Sequence, residues 1–375
     1  MAAPISAAMA GGIGANGGDA KPARLMSLDV LRGFDMFFIF YGAALIVAVA
    51  RMFGADDGCW LLRQMTHVEW EGLHQHDTIF PLFLFLAGVS WPFSLAGQLA
   101  RGRTSLQIHL KVLRRSATLL LIGLLLNGLL VNPASMKFTC VLGFIGVCWG
   151  AAAILFMHVR SPRLRLATPV VLLLGFWLVI AVGGGGYDPE NNVIFRLNRL
   201  LMPGRAGGAE SYFSLPTGAA LAFMGMLAGT LLRREDLSGT AKTLRLLCAA
   251  AVAFALMLVF VYVFRMPVIK RLWTSSFILA AATYSFALLA LFYWVIDVKG
   301  WRRGLTFFRV IGTNSILAYL IMMMNLCGPI KSRLFAWLGN AVPACLAPSL
   351  GQFGYLFSAW IVLYFLYRHK VFLRV

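Results

Sequence analysis

The chain alternates between long apolar runs and short polar segments along most of its length. Ten runs reach or approach the roughly 20 residues that an α-helix needs to cross about 30 Å of hydrocarbon. These runs lie near residues 34–50, 78–99, 116–131, 141–158, 168–185, 215–232, 245–264, 276–296, 310–327 and 353–367. The pattern predicts an all-α fold, a polytopic integral membrane helix bundle with about ten transmembrane helices.

The segments between these runs are too short to form a soluble domain. The longest connections are 51–77, 186–214 and 328–352. The first residues are rich in Gly and Ala and lack the basic, apolar and small-residue order of a cleavable signal. We therefore predict a disordered cytoplasmic tail at 1–23 and a single membrane domain at 24–375.

Composition supports the membrane assignment and excludes one function class. Hydrophobic residues make up 60% of the chain and charged residues 13%, against about 45–50% and about 25% in soluble domains. The net charge of +19 would suggest a nucleic acid partner if the basic residues formed one patch. They lie between the apolar runs instead, so no nucleic acid partner is predicted.

The basic residues also predict an orientation. With the amino terminus inside, 22 of the 33 lysines and arginines fall on the inner side, as the positive-inside rule requires. Both termini are then cytoplasmic and the three longest connections face outward. Without a targeting signal, the chain is expected in a bacterial inner membrane.

Polar chemistry is concentrated in one outward loop that leads into the second apolar run. Six residues within eleven positions can take part in proton chemistry: His67, Glu69, Glu71, His74, His76 and Asp77. The histidine spacings do not match a helical zinc pair, so no metal site is predicted. The loop is either a catalytic site or a hydrated segment at the membrane surface, where Trp70 anchors the interface and Asp77 caps a helix.

Two further polar positions lie at or within apolar runs. Asp29 and Arg32 are three residues apart and are expected to pair on one helix face. Asn314 lies in the ninth run, where an amide either bonds a neighbouring helix or faces a functional cavity.

Four segments in a fixed order carry a family resemblance. They are RLMSLDVLRGF at 24–34, HVEWEGLHQHDTIFP followed by LFLFLAGVS at 67–90, LWTSSF at 272–277 and IGTNSI at 311–316. In this order, over about residues 24–320, they resemble the heparan-alpha-glucosaminide N-acetyltransferase-like transmembrane acyltransferases, most closely the bacterial ones.

The resemblance implies transfer of an acetyl group from cytosolic acetyl-CoA to an amine or hydroxyl of an extracytoplasmic sugar. His67 falls on the family's active-site histidine, as a base or as a transient acetyl carrier, and Asp77 is its expected partner. Trp70 and Glu71 are expected to bind the acceptor. Arg32 and Asn314 are expected to bind the donor. Membrane lipid would surround the helices, and family analogy suggests a homodimer.

The chain departs from the family pattern at two places. Ala43 stands where relatives often carry Asn or Asp, and Phe144 stands where they tend to carry Arg. An inactive binding protein is one alternative that Ala43 leaves open. Another is a transporter or flippase for a small molecule or a lipid-linked glycan, which would show buried ions and broken helices. Few mid-span charges and no evident inverted repeat favour the acyltransferase hypothesis.

Overall fold

The computed structural model describes residues 25–129, 132, 140–204, 211–343 and 345–373, so the predicted tail at 1–23 lies outside the described residues. The described part is a bundle of α-helices. They are α1 (Met26–Phe37), α2 (Ala43–Met52), α3 (Trp60–Gln64), α4 (Gln75–Leu99), α5 (Ser105–Leu126), α6 (Val141–His158), α7 (Pro162–Gly183), α8 (Val193–Leu201), α9 (Leu215–Leu232), α10 (Gly239–Tyr262), α11 (Ser275–Phe292), α12 (Thr306–Thr313), α13 (Ser315–Met323), α14 (Gly328–Ala341) and α15 (Ala347–Arg368).

The helices match the predicted spans closely. Within the described ranges, eight helices are long and apolar enough to cross a membrane. A ninth candidate is the pair α12 and α13, which is bent by 80° at the break. The remaining predicted span, 116–131, overlaps α5 over residues 116–126. This helix, whose first half carries Lys111, Arg114 and Arg115, is not among the eight. The all-α polytopic membrane bundle is confirmed.

Polar side chains begin several helices where the apolar runs start. Thr104 and Gln107 form a capping box at α5, with each side chain accepting from the other's backbone N–H at 3.3 and 3.1 Å. Ser238 Oγ caps α10 by accepting from the Ala241 N–H, and Thr274 Oγ1 caps α11 by accepting from the Phe277 N–H. These caps satisfy N–H groups that have no partner within their own helix.

The first span is broken in the middle. A π-helical turn at Phe38–Gly42 separates α1 from α2, and Tyr41 there has a left-handed φ of 64°. The Tyr41 ring stacks on Tyr355 of α15 at 3.9 Å between centroids. Ala43 follows this turn and is buried. The break therefore redirects the second half of the span toward α15.

Close helix contacts depend on residues without side chains. In the packing of α4 against α9, a Cβ on Gly88 would overlap the carbonyl oxygen of Ala222, and one on Gly225 would overlap that of Phe85. In the packing of α1 against α12, a Cβ on Gly33 would overlap the carbonyl oxygen of Phe308. Such small-residue contacts replace the hydrophobic driving force that lipid removes.

We predict that Gly88→Ala lowers stability by about 1–3 kcal/mol, because its methyl group pushes α4 away from α9. Gly97→Ala on the same helix is the matched control, since nothing lies within 4 Å of its Cβ position. The measurement is the thermal unfolding midpoint of each purified variant in detergent. Equal midpoints for the two variants would contradict the packing described here.

Candidate functional site

The loop at residues 67–77, which is predicted to face outward, places His67 against Asp77 at the start of α4. His67 Nδ1 and Asp77 Oδ1 are 2.7 Å apart. The Asp77 side chain is fully buried, whereas that of His67 is 54% exposed. A carboxylate can only accept, so a neutral His67 donates its Nδ1–H and keeps a lone pair on Nε2. The exposed ring therefore presents a basic nitrogen to a molecule arriving at the loop.

The second oxygen of Asp77 holds the loop itself. Oδ2 accepts from the backbone N–H of Val68 at 3.3 Å and from that of His74 at 3.1 Å. The His74 contact is half of a capping box at the start of α4. Both interpretations of Asp77 therefore apply, because one carboxylate caps the helix and also contacts the imidazole.

Lys270 completes the outer cluster, which we define as His67, Asp77 and Lys270. Lys270 Nζ lies 3.2 Å from Asp77 Oδ1, and 2.9 and 3.3 Å from Nδ1 and Nε2 of His67. Sequence reasoning missed this residue, which is 203 positions from His67. The available signal was its place two residues before the LWTSSF motif.

Backbone contacts join the loop of His67 to the loop of Lys270. Gly72 N–H donates to Val268 O at 2.9 Å, and Glu71 forms an isolated antiparallel bridge with Ile269. Ile269 N–H in turn donates to Thr274 Oγ1 at 3.0 Å. Residues from the first and seventh predicted connections thus form one surface.

An aromatic cluster supports this surface from below. Trp273, which has a left-handed φ of 52°, is fully buried. Its ring lies 4.9 Å from that of Phe80 and 4.7 Å from that of Phe144. Phe144, at the position where relatives tend to carry Arg, therefore packs in an apolar floor beneath the cluster.

The predicted acceptor residues lie on the same outer surface. Trp70 Nε1–H donates to Tyr187 O at 3.1 Å, and its ring meets Phe195 of α8. Glu71 is exposed and contributes its backbone to the bridge with Ile269. Burial raises the pKa of Tyr187 to about 12, so its phenol stays protonated at neutral pH. Trp70 is half-buried, which leaves part of its ring accessible.

A second histidine borders the outer cluster. The His76 ring is tilted against the His67 ring at 4.6 Å between centroids, and its buried Nδ1 has no hydrogen-bond partner among the described residues. Among all the residues that the structure describes, no three His, Cys, Asp or Glu side chains come close enough to hold a metal ion.

A cavity of about 220 Å³ lies in the other half of the bundle. Arg32, Ser90 and Arg115 contribute its polar lining. Arg32 pairs with Asp29 at 3.4 Å, as the spacing predicted, and also donates to Ser90 Oγ. Ser90 follows Asp77 on α4, so the two sites are about 20 Å apart along that helix.

Arg115 was interpreted from sequence only as a determinant of orientation. In the structure its guanidinium stacks on the Trp149 ring at 4.2 Å, and its buried Nε has no hydrogen-bond partner among the described residues. Two arginines and a hydroxyl around one cavity form a site suited to phosphate oxygens.

Asn314 lies beside this cavity, but its amide is engaged elsewhere. The residue is buried at the break between α12 and α13. Its Nδ2 donates to Val371 O at 2.9 Å, and its Oδ1 accepts from Leu373 N–H at 3.0 Å. Thr313, Ser315 and Leu373 line the cavity. Asn314 therefore fixes part of the cavity wall through the carboxyl-terminal segment.

Fold and sites together define a class: an integral membrane helix bundle with an exposed histidine at one end and an arginine-lined cavity in the other half. No protein-family profile matches the chain. It is similar to heparan-alpha-glucosaminide N-acetyltransferase of Homo sapiens, with 27% identity over 374 residues, and to that of Mus musculus, with 24% over 376 residues. Each match covers 80% of this chain but 53% and 55% of the relative. The chain thus spans about half the length of these relatives, and the resemblance seen in its motifs is confirmed.

We predict that Asp77→Asn lowers stability by about 1–3 kcal/mol, because the variant leaves Lys270 without its carboxylate and removes one acceptor at the start of α4. Asp57→Asn is the control, since the Asp57 side chain is 89% exposed. Thermal unfolding in detergent measures both. An unchanged midpoint for Asp77→Asn would show that the buried carboxylate does not hold the two loops.

Proposed function

We propose that this chain is an integral membrane acetyltransferase. It would move an acetyl group from cytosolic acetyl-CoA to an amino or hydroxyl group of an extracytoplasmic sugar. The observation that carries the proposal is the arrangement on α4, where His67 and Asp77 meet at one end and Ser90 borders the arginine-lined cavity further along. The names of the relatives support the reaction class.

The charge distribution supports a direction for the transfer. With 22 of the 33 basic residues on the inner side, the positive-inside rule puts both termini in the cytoplasm. His67 then faces outward and the arginine-lined cavity lies in the cytoplasmic half. This orientation fits the inner membrane of a bacterium, with the donor bound inside and the acceptor outside.

His67 would provide the chemistry at the outer end. The acceptor nitrogen or oxygen attacks the thioester carbonyl carbon, the carbon–sulfur bond breaks, and the acceptor proton passes to His67 Nε2. In a second route, Nε2 attacks the thioester carbon and the carbon–sulfur bond breaks. The acceptor then attacks the same carbon, the bond from Nε2 to that carbon breaks, and the acceptor proton passes to Nε2. Asp77 fixes the tautomer and the ring orientation in both routes, because its contact with Nδ1 leaves the lone pair on Nε2.

The arginine-lined cavity fits the phosphate-bearing part of the donor. Arg32 and Arg115 supply two positive charges, and Ser90 a hydroxyl, around a space of about 220 Å³. Arg115 is the stronger inference, because its buried Nε has no partner among the described residues. Asn314 would act indirectly, by holding Leu373 in the cavity wall.

The acceptor would bind beside Trp70. A partly exposed indole ring stacks well on the apolar face of a sugar, and the exposed carboxylate of Glu71 can accept from its hydroxyl or ammonium groups.

We predict that purified protein transfers radiolabelled acetyl groups from acetyl-CoA to a member of a panel of amino sugars, and that His67→Ala reduces the rate by about 10²–10⁴-fold. His158→Ala is the matched control, since His158 is exposed and its Nδ1 contacts Ile154 O within its own helix. Absence of donor binding, hydrolysis and transfer by the wild type under all conditions would overturn the proposal.

We predict that Arg32→Gln and Arg115→Gln each weaken acetyl-CoA binding by about tenfold, the loss expected when one charge-assisted hydrogen bond disappears. Arg114→Gln is the control, because Arg114 is exposed on the same helix. Isothermal titration measures the dissociation constants in the absence of acceptor. Equal weakening in all three variants would point to a general charge effect and would reject the cavity as donor site.

One observation favours the second candidate function, transport without covalent chemistry. Transporters often bind substrate at broken helices, and α12 and α13 form such a break. Here, however, the Asn314 amide at the break bonds the carboxyl-terminal segment. Sugar uptake into proteoliposomes without acetyl transfer would support the transporter.

A further inference from the structure

The position of Lys270 points to a second reactive group in the outer cluster. Its Nζ is 2.9 and 3.3 Å from the two ring nitrogens of His67, and its side chain is only 13% exposed. Lys270 Nζ is nearest to Nδ1, the nitrogen that contacts its ion-pair partner Asp77, and it also lies within 3.3 Å of Nε2, the nitrogen that faces the substrate. The ammonium thus lies beside the atom at which the acyl carbon would react.

The backbone holds Lys270 in this position. The residue begins a 3-10 turn, Lys270–Leu272, whose last carbonyl accepts from Ser214 Oγ at 2.8 Å. The fully buried Trp273 follows in the left-handed conformation. Ordering such a long side chain costs free energy, and the rigid turn together with Asp77 supplies that order before substrate binds. Preorganised donors of this kind stabilise charge most effectively in a transition state.

Asp77 supplies the one carboxylate of the outer cluster, and further negative charge develops beside the cluster once a reaction begins. One carboxylate faces both the Lys270 ammonium and the His67 imidazole. During acyl transfer, a negative charge develops on the carbonyl oxygen, whichever nucleophile attacks. The carbon that bears this oxygen is bonded to Nε2 in one route. In the other route it is bonded to an acceptor atom that is hydrogen-bonded to Nε2. The oxygen therefore lies within reach of the ammonium in both routes.

We propose that Lys270 is a catalytic residue that donates a hydrogen bond to the thioester carbonyl oxygen as that oxygen becomes negatively charged. The inference rests on the proposed acetyltransferase function. The nucleophile bonds to the carbonyl carbon while the π electrons move to the oxygen. The electrons then return, the carbon–sulfur bond breaks, and the leaving thiolate takes a proton from solvent, to which His67 finally releases the proton it collected from the acceptor. Lys270 keeps its own protons throughout.

The first test compares kinetic constants. Lys270→Met is expected to lower kcat for acetyl transfer by about 100-fold, the loss seen when one oxyanion donor is removed, with KM for acetyl-CoA changed less than threefold. Lys270→Arg retains a cation and is expected to recover at least tenfold of this loss. Arg271→Met is the matched control, since Arg271 is the adjacent exposed cation.

A chemical rescue separates charge from structure. Lys270→Cys is treated with 2-bromoethylamine, which displaces bromide and gives a side chain with a sulfur in place of Cγ and the same terminal ammonium. Activity is expected to rise at least tenfold. Wild type and Arg271→Cys receive the same treatment, because exposed cysteines such as Cys248 and Cys345 also react. Complete alkylation without recovery would overturn the proposal.

A third measurement needs no acceptor. Diethylpyrocarbonate acylates imidazole through the same kind of oxyanion, and mass spectrometry follows each histidine. In Lys270→Met, carbethoxylation of His67 is expected to slow about tenfold relative to the exposed His158, at a pH where the rate has reached its plateau.

The outcomes distinguish the two proposals. A wild type that transfers no acetyl group contradicts the proposed function, and the carbethoxylation rates then decide whether Lys270 promotes acyl addition at His67. An active wild type with Lys270→Met within threefold of its kcat, or with an unchanged rate at His67, overturns the role of Lys270.

Discussion

The loops that form the outer cluster depend on one buried carboxylate. A charge removed from water is costly unless it is fully paired, and both oxygens of Asp77 are paired. One contacts His67 and Lys270, and the other accepts from the backbone of Val68 and His74. The same side chain therefore starts α4, closes the loop before it and orients the imidazole. A structural and a chemical role are combined in one residue because burial leaves no other way to satisfy it.

Close packing between helices extends this local order along the membrane-spanning helices. Lipid offers helices no hydrophobic reason to associate, so contact area and small residues must hold them together. The pairing of α4 with α9 through Gly88 and Gly225 makes α4 a fixed axis of the bundle. Because that axis carries Asp77 near one end and Ser90 beside the arginine-lined cavity, the spacing of the two sites is set by helix geometry, and flexible loops do not determine it.

Sequence could predict what is encoded locally. The helices match the predicted spans because each apolar run carries its own signal, and the Asp29–Arg32 pair follows from helical spacing. The 80° break inside the span 310–327 was not predicted, because it depends on how Asn314 bonds a distant segment. Lys270 was not predicted because its position beside His67 likewise depends on a contact between distant segments. From sequence, Arg115 is one of the basic residues that set the orientation in the membrane. Its stacking on Trp149 is seen only in the structure.

The bridge between Glu71 and Ile269 also has a consequence for how the protein is made. Its two loops belong to opposite parts of the chain, and Lys270 is 203 residues from His67. At about 5–20 residues per second, a ribosome needs about 10–40 s to synthesise that interval. During this time the newly inserted Asp77 has only the imidazole and its own backbone as partners. The contacts between the loops of His67 and Lys270 therefore form late in biogenesis. Any factor that protects partly inserted membrane helices would act in that interval.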